Sequence, residues 1–427
     1  MNTLRIVVLG SSYSSAAVFY YLEKLLTRTR EPVDLLLIAD KNYYCFEELL
    51  PQCLSDSCEI GAISQNFRDI GFIKAGVSYL EISVLDIDLN RKIIITPNGE
   101  ISYQYLVLAP SYNLPDSDGN LFNLNTPLDV LKIKNNITKN LELAVVESNP
   151  EIKRKLLSVS IIGGNQKGIE VALSISDFTR SQIKKKYHEL NESMFKVNVI
   201  EEHSVLLLSK DPFYNARFFY TVNKKKVTVL VNSKITEIEK DKIIINGEKE
   251  IPSGTIINCA MSRMPSLINK LPLKKDASGA ANVDLYMKAD SIEDVFAIGE
   301  FAKCIDLSDS TTKSLFVLNM EARLCANNVI AKINNNPLKP IKTNLLIDFH
   351  SLGCRDTLLV AQGLHFDGFI PWLFQRLFYI CYMLQPCVKV RVFVNFIISL
   401  VGLNNQYLLT VQDKEKQKLK INKVKQY

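Results

Sequence analysis

The sequence of 427 residues has little glycine and no uninterrupted apolar run of about 20 residues. Its 17 glycines are about half of the roughly 7% share that is usual in proteins. Glycine-rich loops are therefore expected at few places, and no ordinary membrane-spanning helix is expected. The apolar start, Leu4 to Leu9, is too short for the hydrophobic region of a secretory signal. We therefore expect a reducing, cytosolic environment.

Metal-binding spacings are also absent from the sequence. The nine cysteines form no C-x-x-C pair, and none has the spacing to histidine that is typical of zinc sites. The four histidines show no metal-binding or triad pattern. No metal ion is therefore predicted. A content of 47% hydrophobic and 22% charged residues indicates an ordinary folded protein, long enough for two or three domains.

The beginning of the chain has the pattern of a dinucleotide-binding unit. The first apolar run predicts a buried parallel strand, residues 14–26 predict a helix, and VDLLLIAD predicts a second strand that ends at Asp40. The fingerprint G-x-G-x-x-G keeps its first glycine, Gly10, while Ser12 and Ser15 occupy the other two positions. Because serine is small and its hydroxyl can bind phosphate, the turn still predicts a cofactor site.

A second unit of the same kind follows in mid-chain. LLSVSIIGGNQKGIEVALSISDF predicts a strand, a turn and a helix, and the next strand ends at Glu201. Gly163 and Gly168 keep the first and third fingerprint glycines, and Asn165 replaces the second. We expect Asn165 to tolerate a positive φ at that place. Glu201 lies where a carboxylate would bind the ribose, which favours NADH over NADPH.

The repetition predicts an α/β fold with two Rossmann-like dinucleotide-binding domains, the second inserted in the first. Two Asn-Gly pairs, Asn98-Gly99 and Asn246-Gly247, are flanked by β-branched residues, and each predicts a hairpin.

The composition changes from Phe369 onward. Two apolar stretches of about sixteen residues, FIPWLFQRLFYICYML and VKVRVFVNFIISLVGL, contain Arg376, Lys389 and Arg391. They are too short to cross a bilayer with ease, but they suit its interface. The lysine-rich residues 413–427 favour an anionic membrane surface, whereas a helix pair in a dimer core is the alternative.

Five stretches of the sequence resemble one family of flavoproteins, in the same order. They are DKNYYCFEELLPQ, SYQYLVLAPS, IIGGNQKGIE, DVFAIGEFA and GFIPWLFQRLFYICYML. Together they extend over essentially the whole chain. The sequence therefore resembles the flavoproteins with two dinucleotide-binding domains of the pyridine nucleotide-disulfide oxidoreductase superfamily, and most closely the type II NADH dehydrogenases.

This resemblance implies an enzyme that passes a hydride from NADH to FAD and two electrons to a membrane quinone, without proton pumping. On the quinone side, Phe316 and Met320 take the places of two glutamines of the family. Since the flavin carries the chemistry, no catalytic side chain is implied, and Glu170 is the nearest candidate. The residues implied at the FAD are Gly10, Ser12, Ser15, Asp40, Val84, Ala109, Gly299 and Glu300. Those implied at the NADH are Gly163, Asn165, Gly168, Glu170, Glu201, Ala260 and Met261.

The resemblance also implies a domain order and partners. An FAD-binding domain in two parts, at 1–115 and 266–345, is expected around an NADH-binding domain at 116–265. An amphipathic, membrane-anchoring helical region at 346–412 and a basic tail at 413–427 are expected to follow. The expected partners are a membrane quinone, the membrane surface and a second copy of the chain, without nucleic acid. The expected location is peripheral, on the cytoplasmic face of the inner or plasma membrane.

Other functions remain open on the sequence alone. A homologue without activity, acting as a membrane-associated scaffold, would explain the missing glycines, but the acidic strand ends Asp40 and Glu201 are kept. Cys53 and Cys58 have the C-x4-C spacing of disulfide reductases, without the glycines that surround that pair, so two unpaired buried thiols are the simpler interpretation. A sulfide:quinone oxidoreductase needs cysteines beside the flavin, and residues 110–250 contain none.

Overall fold

A computed structural model describes residues 3–29, 31–70, 76–111, 121–206, 212–239, 241–260, 264–276, 279–290, 292–305, 313–342 and 347–400. Met261, the end of the expected C-terminal region and the basic tail at 413–427 lie outside these residues. The chain divides into two compact units. Unit 1 comprises Met1–Pro115, Asp211–Phe218 and Met261–Asn395, and unit 2 comprises Asp116–Lys210, Phe219–Ala260 and Phe396–Tyr427.

The secondary structure of the described ranges alternates strands and helices. The strands are β1 (Leu4–Leu9), β2 (Val33–Ala39), β3 (Tyr43–Cys45), β4 (Ser64–Asn66), β5 (Val77–Glu81), β6 (Asp86–Asp88), β7 (Ile93–Thr96), β8 (Gly99–Ser102), β9 (Tyr105–Leu108), β10 (Leu121–Asn123), β11 (Ser158–Ile162), β12 (Lys196–Ile200), β13 (Val227–Leu230), β14 (Ile235–Ile238), β15 (Lys242–Ile245), β16 (Lys249–Pro252), β17 (Thr255–Asn258), β18 (Ala281–Val283), β19 (Val295–Ala297), β20 (Ala302–Cys304), β21 (Ile347–Gly353), β22 (Asp356–Ala361) and β23 (Leu364–Gly368). The α-helices are α1 (Tyr13–Leu25), α2 (Leu50–Leu54), α3 (Ile60–Ile63), α4 (Pro127–Val146), α5 (Pro150–Leu156), α6 (Gln166–Lys186), α7 (Pro212–Lys224), α8 (Ser266–Lys270), α9 (Leu315–Ile333), α10 (Phe369–Tyr382) and α11 (Pro386–Leu400).

Unit 1 is built on a parallel sheet of five strands in the order β19-β9-β1-β2-β5. In its central strand, Ile6, Val7 and Val8 are all fully buried, since both faces of a parallel sheet are covered. α1 follows β1 and packs against α9. The carboxyl ends of the strands lie at one edge of the sheet, which is where ligands bind in folds of this kind.

Unit 2 repeats this plan with a parallel sheet in the order β10-β17-β11-β12-β13. α6 follows the central strand β11, as α1 follows β1. An antiparallel sheet of β14, β15 and β16 adds Ile243, Ile245 and Ile251, which form one hydrophobic cluster with Ile200 and Ile256. Each unit therefore places one strand–turn–helix segment at the centre of its sheet.

The elements of the sequence analysis are largely confirmed. The first unit predicted β1, α1 and β2, and the second predicted β11, α6 and β12. The two predicted hairpins are β7–β8 and β15–β16, and Asn246 (φ 53°) and Gly247 (φ 79°) take the positive φ values of a type I′ turn. The predicted α/β fold with parallel Rossmann-like sheets is confirmed by these elements.

The C-terminal region differs from the expectation in its first part. Residues 347–368 form an antiparallel sheet of β21, β22 and β23, where the expected region at 346–412 was described as helical. These strands mix polar and apolar residues without strict alternation, so their pattern is weak. α10 and α11 then correspond to the two apolar stretches. In the described part of the chain, no helix has the length and hydropathy to cross a bilayer.

Candidate functional site

The turn between β1 and α1, called the first turn below, has room only for glycine at position 10. Gly10 has a φ of +143°, and a Cβ added to it would overlap the carbonyl O of Ala109, which follows β9. The N–H of Gly10 donates to Ile38 O of β2 (3.0 Å). The turn is therefore held between the two strands that flank β1.

Ser12 caps α1 and fastens the helix to β9. Its Oγ accepts a hydrogen bond from the N–H of Ser15 (3.2 Å) and donates one to Ala109 O (2.9 Å). Ser15 is fully buried, and its Oγ donates to Ser12 O (2.7 Å). The hydroxyls of both serines that replace glycines thus form hydrogen bonds with backbone groups of the protein.

The turn between β11 and α6 in unit 2, called the second turn below, has the same construction. Gly163 has a φ of +101°, and its N–H donates to Ile200 O of β12 (2.9 Å). A Cβ at Gly163 would lie 2.9 Å from Ala260 N, and one at Gly168 would overlap Gly163 O. The third fingerprint glycine is therefore required by the close approach of the helix to the turn.

Asn165 caps α6 as Ser12 caps α1. Its Oδ1 accepts from the N–H of Gly168 (2.9 Å), and its Nδ2 donates to the carbonyl O of Cys259, which follows β17 (2.7 Å). The φ of Asn165 is −75°, so the expected positive φ is wrong. The left-handed conformation belongs to Gly163, and Asn165 has the extended backbone of a helix N-cap.

The two acidic strand ends have different surroundings. Asp40 follows β2 and is exposed, whereas Glu201 follows β12 and is buried. Glu201 Oε2 accepts from the N–H of Gly164 (2.6 Å), and Oε1 accepts from the N–H of His203 (3.0 Å) and lies 2.5 Å from its Nδ1. Burial raises the pKa of Glu201, but the hydrogen bonds from His203 and Gly164 outweigh it and leave the pKa below its ordinary value. Glu201 is thus a carboxylate fixed at the second turn.

A small, open cleft lies beside the first turn in unit 1. Of the residues expected at the FAD, Ser12 and Glu300 line it. The full lining comprises Ser12, Tyr13, Ser14, Cys45, Phe46, Glu47, Glu48, Pro110, Ser111, Glu300, Leu315 and Leu318.

The turn after β19 approaches the start of α1. Gly299 is buried with a φ of +77°, and a Cβ there would lie 2.7 Å from Ser14 Oγ. Its N–H donates to Glu321 Oε2 of α9 (3.0 Å). The other oxygen of Glu321 pairs with Lys313 Nζ. Burial raises the pKa of Glu321 by more than Lys313 and the Gly299 N–H lower it.

The remaining residues expected in unit 1 lie outside the lining of this cleft. Val84 is half-buried between β5 and β6, and Ala109 is buried behind the first turn. Phe316 and Met320 are half-buried on α9 and share one face of the helix because they are four residues apart. Leu315 and Leu318 form the helix wall of the cleft instead.

In unit 2, two further expected residues lie near the second turn along the chain. Glu170 is buried on α6 and accepts a hydrogen bond from Gln166 Nε2 (3.1 Å). Ala260 is exposed and directly follows Cys259, whose carbonyl O accepts the hydrogen bond from Asn165. Met261 lies outside the described residues.

Tyr13 and Glu48 are two of the cleft residues that were not expected from the sequence, and both contact α10. Tyr13 Oη donates to Tyr382 O of α10 (3.2 Å) and accepts from Asn319 Nδ2 of α9 (2.6 Å). Glu48 Oε2 accepts from the hydroxyl of Tyr379, also on α10. The available signal was the acidic pair within the apolar stretch CFEELLP.

Glu48 lines the cleft and remains exposed to solvent, while the surrounding protein displaces part of the hydration of its carboxyl group. This desolvation raises the pKa of Glu48 to about 8, although the hydrogen bond from Tyr379 lowers it, and the charges of Asp348, Glu300 and Glu47 raise it further. Glu48 is therefore mainly protonated at neutral pH, unlike Glu201.

Comparison with known proteins gives one family and several relatives. The family model described as pyridine nucleotide-disulphide oxidoreductase matches residues 4–319. An external alternative NADH-ubiquinone oxidoreductase of Yarrowia lipolytica mitochondria is 25% identical over 324 residues, which cover 69% of this chain and 54% of that protein. The chain thus spans about half the length of that relative. The internal alternative NAD(P)H-ubiquinone oxidoreductase A1 of Arabidopsis thaliana mitochondria is 24% identical, over 93% of this chain and 84% of that protein.

Among solved structures, NDH2 from Plasmodium falciparum in complex with NADH has a TM-score of 0.79 to this chain at 17% identity. The match covers 96% of this chain and 100% of that chain. The likeness shows a shared fold.

Replacing Gly10 by Ala should destabilise the protein, because the new Cβ overlaps Ala109 O and the φ disfavours an L side chain. We expect the free energy of unfolding to fall by about 2 kcal/mol or more, measured by urea denaturation. Gly61→Ala is the matched control, since a Cβ there meets no atom within 4 Å, and should change the free energy by less than about 0.5 kcal/mol. Equal small effects of the two variants would contradict the tight turn.

Replacing Glu48 by Gln tests the raised pKa. An unfolded glutamate ionises at about pH 4.3, whereas folded Glu48 keeps its proton to about pH 8. Between these values only the unfolded state releases the proton, so the wild-type protein loses stability as the pH rises, and the variant lacks this loss. The thermal midpoint of Glu48→Gln should therefore exceed that of wild type by a margin that grows up to about pH 8 and is constant above it. Glu237→Gln, at an exposed position, controls for the loss of one charge; a margin independent of pH would contradict the raised pKa.

Proposed function

Because the chain belongs to the pyridine nucleotide-disulphide oxidoreductase family, we propose that it is an NADH:quinone oxidoreductase that carries FAD. The main support for the proposal is that the strand–turn–helix segment occurs in both units, with Gly10 at the turn of one and Gly163 at the turn of the other. A flavoprotein that oxidises NADH needs two nucleotide sites of this kind. The names of the relatives from Yarrowia lipolytica and Arabidopsis thaliana support a quinone as the acceptor.

The residues of unit 1 fit FAD. The start of α1 lines the cleft, where its N–H groups suit a pyrophosphate, and Gly10 permits the tight turn that leads into this helix. Ser12 does not obstruct this approach, since its hydroxyl is bonded to Ala109 O. Asp40 offers an exposed carboxylate at the end of β2, where a ribose hydroxyl would bind. Ser15 supports the turn from its buried side.

When bound, FAD supplies the capacity to accept a hydride and to pass two electrons to a quinone. In this proposal Val84 borders the adenine, and Gly299 and Glu300 border the ribityl chain. The apolar wall of α9, extended along the helix by Phe316 and Met320, takes the quinone ring. Quinone reduction consumes protons, and Glu48 holds one at the cleft.

In unit 2, NADH would bind at the second turn. Gly163, Asn165 and Gly168 present the start of α6 to the pyrophosphate. The fixed carboxylate of Glu201 suits a ribose with free hydroxyls and repels a 2′-phosphate, so we propose NADH rather than NADPH. Glu170 would help to hold the NADH, and Ala260 and Met261 would lie near its nicotinamide, as the family resemblance implies.

We also propose that α10 and α11 lie on a membrane surface, on the cytoplasmic face of the inner or plasma membrane. One face of α10 is buried in unit 1, whereas the opposite face exposes Ile370 (77%), Phe374 (48%) and Leu377 (37%). Lys389 and Arg391 on α11, with the basic tail, suit anionic lipid headgroups. The cleft lies next to α10, since Tyr13 in its lining donates to Tyr382 O at the end of that helix, so a quinone in the bilayer would enter near α10.

A second copy of the chain would cover part of the same surface. α11 also exposes Val390 (65%), Phe393 (43%) and Val394 (48%), and exposed apolar patches of this kind mark protein or membrane contacts. The proposal therefore includes a homodimer through α10 and α11.

The activity is tested by the visible spectrum of the purified protein. We expect flavin bands near one FAD per chain, bleached by NADH without oxygen and restored by a soluble quinone. Gly168→Ala should keep the flavin but slow bleaching at least about tenfold, since its Cβ overlaps Gly163 O only in unit 2. A colourless protein that FAD cannot reconstitute would overturn the proposal, and bleaching without reoxidation would reject the quinone.

Membrane docking is tested with the double variant Ile370→Glu and Phe374→Glu. Each exposed apolar side chain contributes roughly 1.5–3 kcal/mol when buried, so co-flotation with vesicles of anionic phospholipid should fall at least about tenfold. Leu128→Glu with Leu143→Glu, at exposed apolar positions of α4, is the control and should float as wild type. Unchanged flotation together with a shift from dimer to monomer in sedimentation would reassign the face to the dimer and reject docking.

A further inference from the structure

Two cysteines lie together at the end of α2, and neither is part of the cleft lining. Cys53 is buried in the last turn of the helix, and Cys58, after four intervening residues, is half-buried. The N–H of Ser57 donates to Gln52 O (3.1 Å), which folds the chain back beside the helix. The two thiols share a hydrogen bond, and neither cysteine is in a disulfide.

The guanidinium of Arg376, on α10, lies beside this pair. Arg376 is 5% exposed, and its Nη2 donates to Gln52 Oε1 and to Ser57 O, the latter at 3.1 Å. Nε and Nη1 are buried too, yet within the described residues they donate to no oxygen or nitrogen atom. A buried positive charge with incomplete hydrogen bonding is costly unless an anion lies near it.

Cys58 can supply this anion. The hydrogen bond from the Cys53 thiol and the positive charge of Arg376 lower the pKa of Cys58 to about 7, against the opposing effects of burial and of the Glu59 charge. At neutral pH a larger fraction of Cys58 is then thiolate than of an ordinary thiol, whose pKa is about 8.5. The thiolate is the form that reacts with oxidants.

We propose that Cys53 and Cys58 form a redox-modification site, at which a hydroperoxide oxidises the two thiols to a disulfide and a small thiol reduces them again. Cys58 is the attacking residue, Cys53 is the resolving residue, and Arg376 is a positioning residue that keeps Cys58 ionised.

The chemistry has two oxidising steps. The Cys58 thiolate attacks one oxygen of the hydroperoxide, so that an S–O bond forms, the O–O bond breaks, and the second oxygen leaves and takes a proton from water. The Cys53 sulfur then attacks the Cys58 sulfur; the S–S bond forms, the S–O bond breaks, and the departing hydroxyl leaves as water with the Cys53 proton. The peroxide has gained the two electrons that the dithiol lost. Two equivalents of a small thiol return them and leave as their own disulfide.

Oxidation changes the surroundings of a buried charge. The disulfide removes the anion beside Arg376, and because Arg376 belongs to α10, the attachment of α10 to α2 becomes weaker. Trp372, the only tryptophan of the sequence, is buried with its ring centroid 5.5 Å from the guanidinium carbon of Arg376. Its fluorescence therefore reports on this site.

The test uses the full chain, reduced and then freed of small thiols. After treatment with hydrogen peroxide and blocking of the remaining thiols, unreduced peptides are analysed by mass spectrometry. We expect a Cys53–Cys58 cross-link and a change of Trp372 fluorescence, both reversed by dithiothreitol. The rate of Cys58 alkylation should follow a titration with a midpoint at about pH 7.

Variants assign the individual roles. Cys53→Ser should stop at a sulfenic acid on Cys58, trapped by dimedone, and Cys58→Ser should form neither product. Arg376→Gln should slow Cys58 alkylation at pH 7 about tenfold, and Arg376→Lys should restore part of the rate because it keeps the charge. Cys354→Ser, at an exposed cysteine, is the matched control and should leave the cross-link unchanged.

Three results would each overturn the proposal: two free thiols after peroxide, cross-links to other cysteines only, or a Cys58 midpoint at or above roughly pH 8.5. All three are measured on the wild-type protein, so they do not depend on the folding of the Arg376 variants. None of the steps uses NADH, FAD or quinone, and the test is therefore independent of the proposed function.

Discussion

One kind of hydrogen bond holds both candidate nucleotide turns: the side chain that caps the helix also bonds to the strand beside it. Ser12 connects the start of α1 to Ala109 O, and Asn165 connects the start of α6 to Cys259 O. Each cap also satisfies one of the N–H groups that a helix leaves unpaired at its first turn. The helix starts are thereby fixed relative to the sheet edge, and the glycine turns depend on that position. Ser12 and Asn165, which replace the second fingerprint glycine, are therefore polar because their side chains cap the helices.

The local parts of this arrangement were predictable from sequence. A buried strand, a turn with glycine and an amphipathic helix follow one another within about thirty residues, and their pattern does not depend on distant contacts. The hydrogen bonds of the caps were not predictable in this way. The acceptors of Ser12 and Asn165 lie 97 and 94 residues further along the chain. A positive backbone φ was accordingly expected to be the contribution of Asn165, whereas its side chain caps α6 and bonds to Cys259 O.

In the C-terminal helices, contacts between residues distant in the chain were even less predictable from sequence. Within an apolar stretch, Arg376 had the appearance of a charge for a lipid surface, yet it is buried against α2, more than three hundred residues earlier in the chain. The pKa of Glu48 likewise reflects groups distant in the chain, because desolvation raises it and the hydrogen bond from Tyr379, 331 residues away, lowers it. Helical periodicity indicates which residues share a face, but it does not indicate which face meets the rest of the protein. That choice follows from tertiary packing, and so does the pKa of an ionisable group that other elements of the fold surround.

Tyr13 follows the cap residue Ser12 in the chain, and its hydroxyl donates to the end of α10 at Tyr382 O. A single tyrosine side chain therefore connects the start of α1 with the helix that has the exposed apolar face. Two binding equilibria that act on one structural element are thermodynamically reciprocal. If contact of α10 with a surface raises the affinity for a nucleotide, the nucleotide raises the affinity for the surface by the same factor. The protein with bound nucleotide and the protein without it would then differ in how strongly they bind the surface.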